Sequence, residues 1–237
     1  MSTAALLVKR VIDVIFSTVL LVGTAPILLA AAVWIKLEDG GPVIFRQTRI
    51  GKDGRKFTVF KLRSMVVDAE ARLAEIRHRN ERSNSPLFKL EADPRVTKAG
   101  HFLRATSIDE LPQLFNVLRG DMTLVGPRPA LTEEVASFDE ELLRRLRVTP
   151  GVTGLWQVKA RENPSFEVYR DLDLFYVENW SLSMDLAILA GTVTSVLMRG
   201  LRRVRSADPT PVEPASSPSE PESRHTVRAN VFTGVVE

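Results

Sequence analysis

The residues best suited to chemistry lie between positions 104 and 129. Two adjacent carboxylates, Asp109 and Glu110, stand near the start of an expected helix, and Arg104 and Arg128 flank them in the sequence. Guanidinium groups hold phosphate oxygens in a forked geometry. A carboxylate beside them can act as a nucleophile or as a base. The pattern therefore predicts chemistry on a phosphate group.

Asp109 also has a structural explanation as the N-cap of a helix. Ser107 and Glu110 match a capping box, but that register costs Pro112 a helix hydrogen bond. A start at Asp109 keeps the proline in the first turn, where no bond is lost. In both registers the carboxylates lie at the positive end of a helix, which attracts phosphate. A cap needs only one carboxylate, so the second one favours a functional role.

Two further positions are candidates with structural alternatives. Arg128 lies in the sequence Gly-Pro-Arg-Pro, whose prolines stiffen the loop and lower the entropy cost of ordering a phosphate clamp. A rigid turn with a solvated arginine is the alternative. Asp173 is spaced one helical turn from Arg170 and Tyr176, which places all three on one face. A surface ion pair explains that spacing equally well. No Walker-type phosphate loop and no paired-glycine dinucleotide motif occurs in the sequence.

A long apolar segment near the N-terminus must position this chemistry. Residues 14–35 contain no charge and are numerous enough to cross a bilayer core as one helix. Lys9 and Arg10 precede the segment and Lys36 follows it, so both ends favour the cytoplasm. A re-entrant hairpin that bends at Pro26 satisfies both ends. A proline-kinked spanning helix stays open on these grounds, whereas the segment is too long for a signal peptide.

The remaining elements are short, and helices outnumber strands. The predicted elements are strands at 43–46 and 56–61 joined by a turn at 51–54, helices at 65–79, 109–119 and 131–146, a glycine-rich turn into a strand at 149–158, a helix opened by Asn163-Pro164, and a helix from Ser183 to about Gly200. The last helix is too short to span a bilayer and is followed by a cluster of arginines. It either lies in the membrane interface or packs on the domain.

Composition limits the class of protein and divides the chain into three regions. The 237 residues include no cysteine and carry a net charge of +3, which fits anionic partners. Aromatic residues are few and are not interleaved with basic ones, which disfavours nucleic acid as a partner. We expect an α+β protein with a membrane re-entrant helix at 1–39, a cytoplasmic catalytic domain at 40–205 with a small β-hairpin and interfacial helices, and a disordered tail at 206–237.

Taken together, the ordered motifs resemble the bacterial sugar transferase family, the monotopic phosphoglycosyl transferases, over about residues 9–202. The markers are Lys9-Arg10, Asp13, Phe60-Lys61-Leu62-Arg63-Ser64-Met65, Asp93-Pro94-Arg95-Val96-Thr97, Asp109-Glu110-Leu111-Pro112-Gln113-Leu114, Gly126-Pro127-Arg128-Pro129, Pro150-Gly151-Val152-Thr153-Gly154, Asp173, Tyr176 and Trp180-Ser181. The family often has a serine before the bending proline, where this chain has Ala25. A large multi-span region that many relatives carry is absent, so the chain resembles the short form.

The resemblance implies a reaction and its partners. A nucleotide diphosphate sugar, typically a UDP-sugar, would give its phosphosugar to undecaprenyl phosphate in the bacterial inner membrane, with the catalytic domain facing the cytoplasm. Such a transfer initiates exopolysaccharide or other glycan assembly. The sugar and the oligomeric state stay open, a homodimer being one option. An inactive relative that binds nucleotide sugar or polyprenol phosphate without turnover is the alternative.

The resemblance also implies roles for individual residues. Asp109 would be the nucleophile that forms a covalent phosphosugar intermediate, Glu110 would act as general base or support the metal, Arg104 and Arg128 would hold phosphates, and Asp173 with Tyr176 would organise the substrate site. Mg²⁺, held by Asp109 and Glu110, is the expected cofactor because it offsets the diphosphate charge.

Overall fold

A computed structural model describes residues 3–76, 90, 92–160 and 165–206. The helices are α1 (Thr3–Asp39), α2 (Ala69–Ile76), α3 (Lys98–Thr106), α4 (Gln113–Arg119), α5 (Thr132–Ala136), α6 (Leu155–Lys159), α7 (Phe166–Asn179) and α8 (Leu182–Ser206). The strands are β1 (Ile44–Ile50), β2 (Lys56–Leu62), β3 (Thr123–Val125) and β4 (Gly151–Thr153). This arrangement confirms a mostly helical α+β chain with a small β-hairpin. The predicted tail at 206–237 begins with Ser206, which ends α8. The rest of the tail and the Asn163-Pro164 cap lie outside the described residues.

Helix α1 is continuous from Thr3 to Asp39 and contains Pro26. The expected hairpin with two separate arms is therefore not confirmed. Buried and half-buried positions recur every three or four residues along the whole helix, namely at Asp13, Ser17, Leu21, Thr24, Leu28, Ala31 and Ile35. That spacing is one helical face. One stripe of α1 consequently packs on the domain, and the other faces do not.

The unpacked faces of α1 are apolar. They expose large hydrophobic side chains, including Leu7, Phe16, Val19, Val22 and Leu29. Among the described residues, α1 is the one helix that is long and apolar enough to cross a membrane by length and composition. A contiguous apolar surface of this kind marks a membrane or partner interface. This surface supports the membrane association expected from the sequence.

The β-hairpin formed by β1 and β2 forms one wall of the candidate functional site. The two strands are antiparallel, with Gln47 opposite Val59 and Phe45 opposite Lys61. Paired residues point to the same side of a sheet, and alternate residues along a strand do so as well. Gln47, Arg49, Val59 and Lys61 therefore share one face. The predicted turn is confirmed as a 3-10 turn at Lys52–Gly54.

Helices α3 and α4 hold the carboxylate pair between them. Helix α3 begins at the Thr97 cap, whose side chain accepts a hydrogen bond from the Gly100 amide at 3.0 Å. It ends at Ser107, whose φ is 59°. A 3-10 turn, Ile108–Glu110, follows, and we call it the dyad turn. Helix α4 begins after Pro112, so the predicted helix over 109–119 is two elements, the dyad turn and α4. Proline explains the break, because it cannot donate a hydrogen bond inside a helix.

Helix α4 is fixed to the hairpin by one buried side chain. The Asn116 side chain donates to the Thr58 carbonyl at 2.6 Å and accepts from the Phe60 amide at 3.1 Å. The main core forms around this junction from Val59, Leu114, Val117, Met122, Leu124, Val125, Tyr176 and Ile188. The dyad turn is therefore carried by a helix that the core and β2 hold in place.

Several predicted elements were wrong in extent. The charged segment 131–146 is α5 followed by a separate 3-10 turn at Leu142–Arg147 rather than one helix. The strand at 149–158 is only β4, and α6 follows it. Strand β3 was not predicted because three residues show no periodicity, yet it pairs in parallel with β4. These short pieces place the loop at 126–130 and helix α6 beside the hairpin wall.

Candidate functional site

A cavity of about 160 Å³ lies where the hairpin, the dyad turn, the start of α4, the loop at 126–130, β4 and α6 meet. Its lining residues are Arg49, Val59, Lys61, Glu110, Gln113, Arg128, Pro129, Gly151, Val152, Trp156 and Gln157. Three of these side chains are cationic and one is anionic. The cavity therefore carries excess positive charge and suits a polyanionic ligand.

The carboxylate pair occupies the dyad turn at the edge of this cavity. Glu110 lines the cavity, and one of its carboxylate oxygens lies 2.9 Å from the ammonium of Lys61. Asp109 is 8% exposed and follows Ile108 in the same turn. The two carboxylates thus have different surroundings, since Glu110 faces the hairpin cation and Asp109 is more deeply buried.

Arg104 approaches the dyad turn from α3. Its Nε donates to the Ser64 hydroxyl at 2.8 Å, which fixes the orientation of the guanidinium. Burial lowers the pKa of Arg104, and the carboxylates of Asp109 and Asp93 oppose that effect. The structure therefore brings the predicted phosphate ligand Arg104 into the electrostatic neighbourhood of Asp109.

Arg128 also lines the cavity and is not simply solvated. Its Nη1 lies 3.1 Å from the carboxylate of Glu134, which is 3% exposed and also accepts from the Leu131 amide at 2.7 Å. Burial would lower the pKa of Arg128, but the Glu134 carboxylate and the Tyr169 hydroxyl outweigh burial and raise it. The guanidinium stays charged and is oriented before any ligand arrives.

Arg49 is a cavity cation that the sequence analysis missed. Its Nη2 and Nε donate to Gln47 Oε1 at 2.6 and 3.0 Å, and its Nη1 donates to the Pro129 carbonyl at 3.1 Å. Burial and the neighbouring Arg128 lower the pKa of Arg49 to about 10, so it keeps its charge at neutral pH. Two arginines that repel each other in one cavity favour an anion between them.

Four further lining residues, Lys61, Gln113, Trp156 and Gln157, were given no role by the sequence analysis, although Lys61 and Gln113 stand in motifs that it quoted. The alternation of β1 and β2 is the signal that could have found Arg49 and Lys61, because their strand register puts both on one face. The two glutamines and the tryptophan lie on helices α4 and α6. No local sequence pattern shows that these helices approach the hairpin.

Asp173 and Tyr176 are not among the cavity-lining residues. The Asp173 carboxylate pairs with Arg145 at 2.6 Å, and the same Arg145 nitrogen donates to the Arg128 carbonyl at 2.7 Å. Arg170 lies away from this pair and contacts Asp139 and Glu141. All three residues lie on α7 as expected, but each side chain has partners of its own: Arg145 for Asp173, Asp185 for Tyr176, and Asp139 with Glu141 for Arg170.

Tyr176 reaches the backbone beside the site. Its hydroxyl oxygen lies 2.8 Å from the Val125 carbonyl oxygen and 2.8 Å from an Asp185 carboxylate oxygen, so its single proton is shared between two acceptors. Burial and the Asp185 charge raise the pKa of Tyr176, so the hydroxyl keeps its proton. Lys9 contacts the same two groups, at 2.9 Å to Val125 O and 2.5 Å to Asp185. Pro26 lies in α1, exposed to the surroundings.

The oxygen donors at the site decide whether a divalent cation fits there. The described residues contain no cluster of three or more histidine, cysteine, aspartate or glutamate side chains that could hold a metal. Asp109 and Glu110 nevertheless supply two carboxylates at a cationic cavity. Mg²⁺ commonly takes one or two carboxylates and completes its octahedron with water and substrate phosphate oxygens. The residues present fit a magnesium ion that binds together with a phosphorylated substrate.

Known proteins are similar to this chain over most of its length. The model of a family described as bacterial sugar transferase matches residues 4–199. An undecaprenyl-phosphate galactose phosphotransferase of Salmonella typhimurium is 41% identical over 200 residues, which cover 81% of this chain and 40% of that protein. A UDP-glucose:undecaprenyl-phosphate glucose-1-phosphate transferase of Caulobacter vibrioides is 43% identical over 197 residues, covering 80% of this chain and 69% of that protein.

A shorter relative matches along most of its length. The exopolysaccharide production protein ExoY of Sinorhizobium fredii is 39% identical over 196 residues, covering 81% of this chain and 87% of that protein. By contrast, the chain spans about two fifths of the length of the Salmonella relative. The shared region contains the dyad turn, all the cavity-lining residues and helix α1.

Proposed function

Because this chain belongs to the bacterial sugar transferase family, we propose that it transfers a phosphosugar from a UDP-sugar to undecaprenyl phosphate. The products are undecaprenyl diphosphate sugar and UMP. The names of the Salmonella and Caulobacter relatives support the lipid acceptor and, for the second, the UDP-linked donor. The exopolysaccharide relative supports a role at the start of polysaccharide assembly.

Asp109 is the proposed nucleophile. One of its carboxylate oxygens forms a bond to the phosphorus that bears the sugar, while the bond from that phosphorus to the oxygen of UMP breaks. An oxygen of the lipid phosphate then attacks the same phosphorus, and the Asp109 carboxylate leaves. Burial supports this role, because a partly desolvated carboxylate beside cations can meet a phosphate without competing water. Glu110 acts as the base or helps to hold the metal.

The cations around the dyad hold the donor. Arg104 stands beside Asp109, and Arg49, Lys61 and Arg128 line the adjoining cavity. Fixed cations stabilise charge that develops on the phosphate oxygens in the transition state. Asp109 and Glu110 would hold Mg²⁺, which would neutralise part of the diphosphate charge.

The chain acts at the cytoplasmic face of the inner membrane in this proposal. Both ends of α1 contact the same domain, through Arg10 at one end and Glu38 at the other. A helix that crossed the bilayer would carry one of these ends to the opposite side. The exposed apolar faces of α1 therefore enter the membrane without crossing it, which keeps the cavity near the depth of a lipid phosphate.

The single observation that carries this function is the buried Asp109 beside Arg104 at the edge of a cationic cavity. Membranes containing the protein should move label from radiolabelled UDP-glucose or UDP-galactose to undecaprenyl phosphate and release UMP. The Asp109→Asn variant should do neither. Asp121→Asn, which alters a surface carboxylate paired with Arg119, is the matched control and should keep full activity.

Three outcomes would overturn parts of this proposal. Full activity in Asp109→Asn would exclude Asp109 as the nucleophile. Binding of UDP-sugar by the unaltered protein without any turnover would favour the inactive relative. A phosphosugar adduct found at Asp109 by mass spectrometry, in the absence of acceptor, would support the covalent route. A strict requirement for both substrates before UMP release would contradict it.

A further inference from the structure

Helix α1 contacts both helices that flank the dyad turn, at their outer ends. At the start of α3, the Glu38 carboxylate accepts from the amides of Lys98 at 2.8 Å and Ala99 at 3.2 Å. At the end of α4, the Arg10 guanidinium donates to the carbonyls of Val117 at 2.6 Å and Leu118 at 2.9 Å. One element therefore holds both ends of the segment whose centre carries Asp109 and Glu110.

The charges of both contacts have the favourable sign. The first amides and the last carbonyls of a helix lack partners within the helix. A carboxylate is stabilising at the positive N-terminus and a cation at the negative C-terminus. Glu38 and Arg10 satisfy these groups directly, in a forked geometry in the case of arginine. Each contact orients a helix as well as attaching it.

The first turns of α1 also hold the strand that leads to Arg128. Asp13 accepts from the Thr123 hydroxyl at 2.6 Å and from the Leu124 amide at 3.0 Å. The Lys9 ammonium donates to the Val125 carbonyl at 2.9 Å. Val125 is the last residue of β3, and the loop that contains Arg128 begins at the next residue. The same helix therefore contacts both the segment that carries the carboxylate pair and the strand that leads to an arginine of the same cavity.

We propose that α1 is a clamp that sets the position of the dyad turn relative to Arg128, with Arg10 and Glu38 as positioning residues. This inference rests on the proposed function only for its kinetic readout. Its consequence is that the membrane-facing helix belongs to the active-site scaffold. A change in the position of α1 on the domain alters the distance between the reacting carboxylate and the cations that hold the phosphate.

A charge at the end of an apolar segment has a simpler use, because it can orient that segment in the membrane. The two roles respond differently to a charge-conserving change. Arg10→Lys keeps the charge but replaces the fork that contacts two carbonyls with a single ammonium. Lys36→Gln removes one flanking charge at the other end of α1, where the Lys36 ammonium donates to the Gly40 carbonyl of the adjoining turn. It is the matched control for charge alone.

The experiment combines kinetics with hydrogen exchange on the full chain in membranes or nanodiscs. Arg10→Lys should lower kcat by about 10- to 100-fold, as expected for a misplaced reacting group, and leave the KM for UDP-sugar within about twofold. Amide exchange should become faster in the peptides that cover 107–125. Lys36→Gln should match the unaltered protein in both measurements. Glu38→Ala should reproduce both effects, with faster exchange centred on 98–106.

The outcomes separate this inference from the proposed function. If the unaltered protein shows no phosphosugar transfer, the proposed function fails, and hydrogen exchange alone still tests the clamp. If Arg10→Lys retains the kcat and the exchange pattern of the unaltered protein, the clamp is wrong and charge alone explains Arg10. If Arg10→Lys does not fold, Glu38→Ala decides, because it removes the opposite contact. Unchanged kinetics and exchange in Glu38→Ala would then refute the clamp.

Discussion

Arg145 and Asp173 form an ion pair in which each side chain is only 1% exposed, with 2.6 Å between the guanidinium nitrogen and the carboxylate oxygen. That nitrogen also donates to the Arg128 carbonyl at 2.7 Å. The pair therefore connects α7 to the loop at the cavity. A buried charge requires a partner because desolvation makes an isolated ion very unfavourable.

We predict that Asp173→Asn destabilises the protein strongly, because it leaves the Arg145 charge buried without its counter-ion. Loss of one partner of a buried pair typically costs about 3–5 kcal/mol. Chemical unfolding monitored by circular dichroism measures the change. Glu178→Gln removes the carboxylate of the exposed Arg144–Glu178 pair and should change stability by about 1 kcal/mol or less. Equal effects of the two substitutions on the free energy of unfolding would contradict a stabilising role for the buried Arg145–Asp173 pair.

The cationic cavity predicts a ligand-dependent stabilisation that needs Arg49. UDP that binds the folded state raises Tm by mass action. Arg49→Gln should reduce that rise, because one of three cavity cations is lost while the strand stays intact. Arg46→Gln is the matched control, since Arg46 lies on the same strand, exposed on the opposite face. Thermal scanning with and without UDP measures the difference. An unchanged UDP shift in Arg49→Gln would exclude Arg49 from the anion site.

Local signals in the sequence predicted the parts of the fold that depend on neighbouring residues. The turn at Lys52–Gly54 and the end of α4 at Gly120 could be predicted because glycine readily adopts the positive φ angles found at Gly54 and Gly120. The pairing of Asp109 and Glu110 near Arg104 was visible because all three lie within a few positions. Residues that act over a long separation left no such signal. Arg10 contacts a carbonyl 107 positions away, and no periodicity reports that contact.

The same limit explains the environments of Asp173 and Lys9. Helical spacing correctly placed Asp173 near Tyr176 along α7, but the partner of each side chain is set by packing against other elements. Lys9 was interpreted as a membrane-flanking charge, and the structure gives it two partners in the domain. A basic residue beside an apolar segment has the same sequence pattern in either setting.

Glycine at position 100 allows α3 to approach the loop that precedes α2. A Cβ built there would collide with the carbonyl oxygen of Ser64. The backbone oxygen cannot swing away as a flexible side chain would, so we predict that Gly100→Ala destabilises the protein by about 3 kcal/mol. Because Ser64 orients Arg104 at 2.8 Å, transferase activity should fall as well. Gly23→Ala is the control, since a Cβ there meets no atom within 4 Å. Chemical unfolding and activity assays would contradict the close-approach explanation if both variants behaved alike.

The topology of α1 predicts that both of its ends label from the same side of the membrane. The chain has no cysteine, so single cysteines introduced at Thr3 and Lys52, both exposed, report their own positions. In right-side-out vesicles an impermeant maleimide should react with neither cysteine, and in inverted vesicles it should react with both. Arg10 and Glu38 require this result, because each is bonded to a helix of one and the same domain. Reaction of the two cysteines from opposite sides would show that α1 crosses the bilayer. It would separate Arg10 from α4, and with it the contact that holds the end of the dyad-bearing segment.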